Sequence, residues 1–256
     1  MELYQYIIAI VGGTFAGAIN TLAGNGSAIT LTILTEVIGL PGNMANGTNR
    51  VGVLTQSWAS TFAFYRHGKI NIQKSKVYII CTVIGAIAGV ILAIWVSNEQ
   101  FKSVFSYLMI LMLFIILVKP KRWLIETDNS TKPNLLITVP LFLALGFYGG
   151  FIQMGMGVFF LAIMVLGAKH SLLDANVIKS LVVALYTIVV IAIFHWKGLV
   201  DWKVGAILAI GQTAGGYFTA HYAARYESIN LWAHRLLVVV VIFAIIKLFD
   251  LHLYLF

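Results

Sequence analysis

Two cations stand where the chain is otherwise almost wholly apolar. Arg50 closes the stretch Asn43-Met44-Ala45-Asn46-Gly47-Thr48-Asn49-Arg50, and Lys179 follows Ser171 by eight residues. Hydrocarbon cannot solvate a guanidinium or an ammonium, so each needs a partner of its own. Each is also preceded by a glycine-rich interruption, Gly24-Asn25-Gly26-Ser27 in one case and Gly155-Met156-Gly157 in the other. Glycine lets backbone approach a ligand closely, and a helix that begins just after such a break turns unpaired N–H groups toward it. Asn25 and Ser27 add side-chain donors. In the second interruption Met156 stands in the place of Asn25, and Gln153 is the polar substitute. The chemistry these residues suit is anion binding between two unequal half-sites, with Arg50, Asn25, Gly26 and Ser27 on one and Lys179, Gln153, Gly155 and Gly157 on the other.

The elements that must position them are long helices. Asn46, Asn49, Arg50, Gln56, Ser57 and Ser60 recur at helical spacing and form one polar stripe, as do Asn176, Lys179, Ser180 and Thr187. Asn43 is the expected N-cap of the first of these helices. Ser171 heads a Ser-x-x-Asp capping pattern at the start of the second. At ~1.5 Å per residue each cation lies roughly 10–12 Å deep, and about 8 Å along the membrane normal separates them if they enter from opposite faces. Two cations near a midplane call for an anion. Other roles stay open at this point. Arg50 could snorkel or pair with Glu36, and Lys179 could stabilise a helix end or face a water-filled vestibule. The asparagines could bond neighbouring helices, Gly85 and Gly89 serve packing, and Trp58, Trp95, Trp196 and Trp202 anchor the interface. His195 and His221 fall toward helix ends.

Composition fixes the class. Of 256 residues 60% are hydrophobic and 10% charged, against about a quarter charged in soluble domains. Apolar stretches near 5–23, 28–39, 44–65, 77–97, 101–118, 135–153, 158–168, 175–196, 204–224 and 231–249 make about ten segments. They are continuous rather than alternating, which predicts helices and excludes a barrel. The segments at 28–39 and 158–168 are too short to span and predict hairpins or broken helices. The formal charge of +8 sits mostly in loops, where headgroups and orientation account for it, so nucleic acid is excluded as a partner. The start Met1-Glu2-Leu3-Tyr4-Gln5 lacks the basic region of a signal peptide, so the first segment is expected to stay. Cys81 alone gives neither an intrachain disulfide nor a cysteine metal cluster, and no metal or cofactor is expected.

The order of features repeats. Gly13 and Gly17 are echoed by Gly146 and Gly150, Ala45 and Asn46 by Ala175 and Asn176, Phe64 by Phe194, Gly68 by Gly198, and the Gly85/Gly89 pair by Gly211/Gly215. The chain is therefore expected to be an all-α polytopic membrane protein of two repeats of about five segments, residues 1–118 and 134–256, joined by a polar linker at 119–133. An odd number of segments inverts the second repeat. Loops at 66–76, 119–133, 167–174 and 225–235 hold most of the Lys and Arg, against Lys102, Lys197, Lys203 and Lys247 on the other side. The basic face is then cytoplasmic and both termini lie outside.

The chain resembles the TauE/SafE family of sulfite exporters: a Gly-rich break, a short helix ending near Gly39-Leu40-Pro41, a helix opening with Ala45-Asn46-Gly47-Thr48-Asn49, and Gly198-Leu199-Val200-Asp201-Trp202 in the second half. The resemblance covers nearly the whole chain. It implies a cell-membrane transporter of small sulfur-containing anions such as sulfite or organosulfonates, with a central site between the two broken regions. Two rival classes are an anion channel, which needs a continuous pore, and an intramembrane serine hydrolase built on Ser27. The hydrolase lacks a His or carboxylate deep in a partner segment, and Val158 aligns with Ser27, so no enzyme is expected.

Overall fold

The computed structural model describes residues 1–69, 72–95, 97, 135–168, 170–226 and 235, with the backbone alone at 72–75. The expected segments at 101–118 and 231–249 and the linker at 119–133 lie outside the described residues. Among those described every regular element is helical: α1 Leu3–Ala23, α2 Gly26–Thr32, α3 Gly42–Arg66, α4 Ile72–Ala93, α5 Leu135–Phe151, α6 Met156–Ala162, α7 Leu172–Trp196 and α8 Trp202–Ala223. Three of them, α1, the Lys76–Ala93 part of α4 and α7, are long and apolar enough to cross a membrane.

Gly24 and Gly155 make the two breaks. Both adopt left-handed backbone, with φ of 78° and 79°, which glycine alone enters without strain. The chain reverses at each. α2 runs back along α1, so that Gln5 Nε2 donates to Val37 O at 2.8 Å. α6 runs back along α5, and Phe142 and Phe160 meet edge to face with ring centroids 5.4 Å apart. Both short helices widen into a π turn at the same relative place, Ile33–Val37 and Ile163–Gly167. Even with the π turn, twelve residues cover roughly 18 Å, well short of a ~30 Å hydrocarbon layer. The short segments are thus the returning arms of hairpins.

The sequence halves do not pack as separate bodies. α1 lies along α8 and α4 along α5, while α3 packs on α8 and α7. Small residues make the first two seams. A side chain on Gly13 or Gly17 would overlap the backbone of Leu208 or Gln212, and one on Gly211 or Gly215 that of Ile10 or Thr14. The other seam has the same construction: Gly85 and Gly89 face the Leu143 and Phe147 carbonyls, and Gly146 and Gly150 face those of Thr82 and Ala86. Backbones approach this closely in lipid only when neither helix carries a side chain at the crossing. α3 and α7 run antiparallel: Gly47 near the start of α3 abuts Phe194 near the end of α7, and Phe64 near the end of α3 packs with Val177 near the start of α7.

Large apolar side chains including Leu3, Phe15, Phe62, Ile84, Ile188 and Ile210 are exposed on the outside of the bundle, as a lipid-facing surface requires. Trp95 and Trp196 are 75% and 84% exposed and flank the Lys197 ammonium, an interfacial grouping of the expected kind. One local expectation fails. α3 starts at Gly42 with Pro41 in the capping position and no side-chain cap, because the proline ring, at φ of −55°, already sets the entry angle. Asn43 lies inside the first turn.

Candidate functional site

The two breaks cross in the middle of the bundle. A methyl group on Gly24 would overlap the backbone of Gly157, and one on Gly157 that of Gly24. The main chains of the two hairpins touch there, and only hydrogen side chains permit it. Asn25, Gly26 and Ser27 are buried on one side of the crossing, and Gln153, Gly155 and Gly157 on the other. Gly26 is held for a different reason from the one its place in the motif suggests, because a side chain there would strike the Ala16 carbonyl of α1.

Each buried cation reaches the hairpin of the other half of the chain. Arg50 is fully buried. Its Nη1 donates to Gly149 O at 2.8 Å and to Gln153 Oε1, and its Nη2 to Gly150 O and Asn46 Oδ1, both at 3.3 Å. The Asn46 amide donates in turn to Phe151 O at 3.4 Å. Lys179, 3% exposed, donates to Asn20 O at 2.8 Å, Thr21 O at 2.9 Å and Asn176 Oδ1 at 2.6 Å. The Asn176 amide donates to Leu22 O at 3.2 Å.

The acceptors have a common identity. A helix leaves its last four carbonyls without an intrahelical donor. At the end of α1 Lys179 and Asn176 bond the carbonyls of Asn20, Thr21 and Leu22, the first of which also accepts the Gly24 N–H, and at the end of α5 Arg50 and Asn46 bond those of Gly149, Gly150 and Phe151. The C-terminus of a helix carries about half a negative charge, so both cations face opposite charge without any carboxylate. The helix ends thus supply part of the opposite charge that the two cations require. Glu36 is exposed and bonds Thr35, so it is not the partner of Arg50.

The polar stripe on α3 divides its work. Asn46 and Arg50 serve the second break, and Asn49 Oδ1 accepts from Thr30 of α2 at 2.7 Å. Gln56 and Ser60 instead brace the end of α1: Asn20 Nδ2 donates to Gln56 Oε1 at 2.6 Å, Gln56 Nε2 to Thr21 Oγ1 at 3.0 Å, and the Thr21 and Ser60 hydroxyls lie 3.0 Å apart. On α7, Ser180 bonds back to Asn176 O in its own helix at 2.9 Å. Ser171 accepts from the Asp174 amide at 3.0 Å, as its capping pattern predicts.

Several buried polar atoms are left without a partner. Among them are Asn25 Oδ1 and Nδ2, Ser27 Oγ, Asn49 Nδ2 and Arg50 Nε. These belong to four residues singled out from the sequence, on the first break and the start of α3, and they are predominantly donors. Buried donors without acceptors are costly and uncommon, and a site prepared for an acceptor-rich ligand is one reason to keep them. Among the described residues no group of three or more His, Cys, Asp or Glu could hold a metal ion.

Tyr186 was not among the residues read as functional, although it holds Gln153 by donating to its Oε1 at 2.9 Å. Its signal was available: a tyrosine inside an apolar helix needs a partner for its hydroxyl. Asn20 and Thr21 escaped for another reason, since α7 engages them through their main-chain carbonyls.

Known proteins resemble this chain along most of its length. The family profile described as sulfite exporter TauE/SafE matches residues 9–248. A probable membrane transporter protein ORF9 of Sinorhizobium sp is 28% identical over 83% of this chain and 81% of its own length. The probable membrane transporter protein YfcA of Escherichia coli K12 is 28% identical over 78% of this chain and 74% of its own. The probable membrane transporter protein YjnA of Bacillus subtilis is 26% identical over 85% and 90%. No solved structure matches. With eight helices among the described residues, a crossing of two broken hairpins and a profile match over nearly all its length, the chain belongs to the TauE/SafE family of multi-pass membrane transporters.

Proposed function

We propose that this protein carries small sulfur-containing anions, sulfite or organosulfonates, across the cell membrane by alternating access around the crossing of its two breaks. The single observation that carries the reading is the set of buried side-chain donors without partners on Asn25, Ser27 and Asn49, together with the Nε of the fully buried Arg50 guanidinium. An oxyanion brings many acceptors and one or two negative charges, and the guanidinium keeps one N–H, at Nε, for it. The family's name supports the sulfur class. The direct backbone contact of Gly24 with Gly157 supports a carrier over a channel, because the two main chains touch where a pore along the crossing would have to pass. For the hydrolase, Ser27 Oγ would need a base within reach, and the structure gives it no hydrogen-bond partner.

Two inverted repeats of about five segments each are the architecture we infer for the whole chain. The antiparallel course of α3 and α7 and the exchanged helix ends support it. With the basic loops inside, the hairpins open from opposite faces and both termini lie outside. Outward movement of one negative charge is favoured by about 2.3 kcal/mol per 100 mV of inside-negative potential, so export can run on voltage alone. In proteoliposomes an imposed voltage is expected to drive sulfite flux. A flux driven by a pH gradient and indifferent to voltage overturns that coupling.

The test of the site is a thermal-shift and calorimetry panel of sulfite, sulfonates, thiosulfate, sulfate and small carboxylates on purified protein. Arg50→Ala is expected to abolish the binding that Ser60→Ala retains. Equal binding by both variants removes Arg50 from the site.

A further inference from the structure

Of the two buried cations, one has a donor to spare and the other has none. An ammonium offers three N–H bonds, and the structure gives Lys179 three acceptors: Asn20 O, Thr21 O and Asn176 Oδ1. A guanidinium offers five. Four bonds from Arg50 go to Gly149, Gln153, Gly150 and Asn46, and its Nε is left buried without an acceptor. An anion can therefore take a bond from Arg50 with its present contacts intact. From Lys179 it can take one only by pulling the ammonium off the end of α1.

We propose that Lys179 is a positioning residue that does not touch the transported anion: it latches the last turn of α1, and with it the first break, to α7, and it sets turnover rather than affinity. The proposal rests on the reading of the chain as an anion carrier for its transport arm only. Together with Asn176, Lys179 holds Asn20, Thr21 and Leu22, the three residues that lead into Ala23 and the left-handed Gly24. That turn is braced from α3 as well, through Gln56 and Ser60. For the first hairpin to swing relative to α7, the two charge-assisted bonds from Lys179 to Asn20 O and Thr21 O and the Asn176 amide bond to Leu22 O must open together. Such bonds are strong where water is excluded. The latch thus keeps Gly24 against Gly157 in the closed arrangement, and each transport cycle must release and remake it. The equivalent grip on the second hairpin belongs to Arg50, which leaves Lys179 as the member of the pair with a purely mechanical task.

The experiment uses the full-length protein with Lys179→Met, Lys179→Arg and Arg50→Met. In substrate-free protein, hydrogen exchange is followed at the amides of residues 22–28 and 153–158. Lys179→Met is expected to speed exchange at least tenfold at the first break and to leave the second within threefold, with Lys179→Arg restoring part of the protection. In proteoliposomes, sulfite KM is expected to stay within threefold in Lys179→Met while turnover falls at least tenfold, and Lys179→Arg to recover part of that turnover. Arg50→Met is expected to raise KM at least tenfold. A general folding defect would not confine its effect to one break, nor divide between KM and turnover in this way. Unchanged exchange at the first break overturns the latch, and so does a KM that rises with turnover intact. If the wild type carries none of the anions in the panel, the sulfur-anion reading falls and the exchange arm alone decides the latch. If Lys179→Met does not fold, Asn176→Ala takes its place, since it removes one acceptor and the bond to Leu22 O while the charge remains. The same division is then expected at about threefold.

Discussion

The two breaks share one backbone design and differ in how fully they are satisfied. At both, a left-handed glycine ends a helix, a cation and an asparagine from the other half of the chain cap its carbonyls, and a short helix runs back into a π turn. At the second break the polar group is Gln153, whose Oε1 accepts from both Arg50 and Tyr186, and Met156 and Val158 complete it with apolar contacts. At the first break the side chains of Asn25 and Ser27 are buried without a hydrogen-bond partner. One hairpin is thus satisfied within the protein, and the other keeps buried polar side chains without partners. On the proposed anion reading, a ligand is expected at the first break, where the side chains of Asn25 and Ser27 have no partner.

The crossing itself is where the likeness is easiest to break. Gly24→Ala combines a left-handed φ with overlap onto Gly157, whereas Gly157→Ala has the overlap alone. We expect a loss of about 2–5 kcal/mol for the first and ~1–3 kcal/mol for the second, read as thermal unfolding in detergent. Equal effects would show that the overlap dominates and the backbone conformation is incidental.

The capping cations come next. Removing Arg50 frees four bonds and removing Lys179 three. At ~0.6 kcal/mol per bond between membrane helices, each costs roughly 2 kcal/mol of stability. The instructive variant is Arg50→Lys, which keeps the charge but has too few donors for the second break and no Nε. It is expected to fold and to bind sulfite at least tenfold more weakly by calorimetry. Wild-type affinity would mean that charge alone makes the site.

Smaller effects separate the supports of the two breaks. Gln56 and Tyr186 both brace a helix end, from α3 and α7. Tyr186→Phe is expected to cost about 0.6–1.7 kcal/mol and to raise hydrogen exchange near Gln153 only. Gln56→Leu is expected to act near Asn20 instead, with the second break unaffected. At the helix starts, Ser171→Ala should cost ~1 kcal/mol by loss of its cap. Pro41→Ala has no side-chain bond to lose at the corresponding place on α3, and thermal unfolding of the two variants compares them directly.

Much of the scaffold was legible along the chain. Gly24 and Gly155 announced the breaks, the lengths of the short segments announced that they could not span, and Ser171 announced its own helix start. These are local signals, carried by the backbone preferences of a few neighbouring residues. The destinations of Arg50 and Lys179 were not legible. A cation's sequence neighbours show that it is deep in an apolar helix, but its acceptors are carbonyls about a hundred and about a hundred and sixty positions away, and every residue type carries a carbonyl. For the same reason the contact between the breaks was not legible: the glycines show that something approaches, and only the assembled bundle shows that it is the other break. The α3 stripe misled by continuity, since one face of a 25-residue helix is long enough to serve two partners at different depths.

The glycine seams of α1 on α8 and of α4 on α5 bear on how the protein is made. α1 has its glycine-seam partner, α8, roughly 200 residues downstream, which at ~5–20 residues per second leaves it waiting on the order of 10–40 s. Through that interval Gly13 and Gly17 present an open, small-residue groove to lipid or to any passing helix. Newly inserted chains are therefore open to pairing with their own kind, first halves with first halves, before their second halves arrive. A chaperone or a slow lateral release that shelters α1 until α8 is inserted would raise the yield of correctly closed bundles.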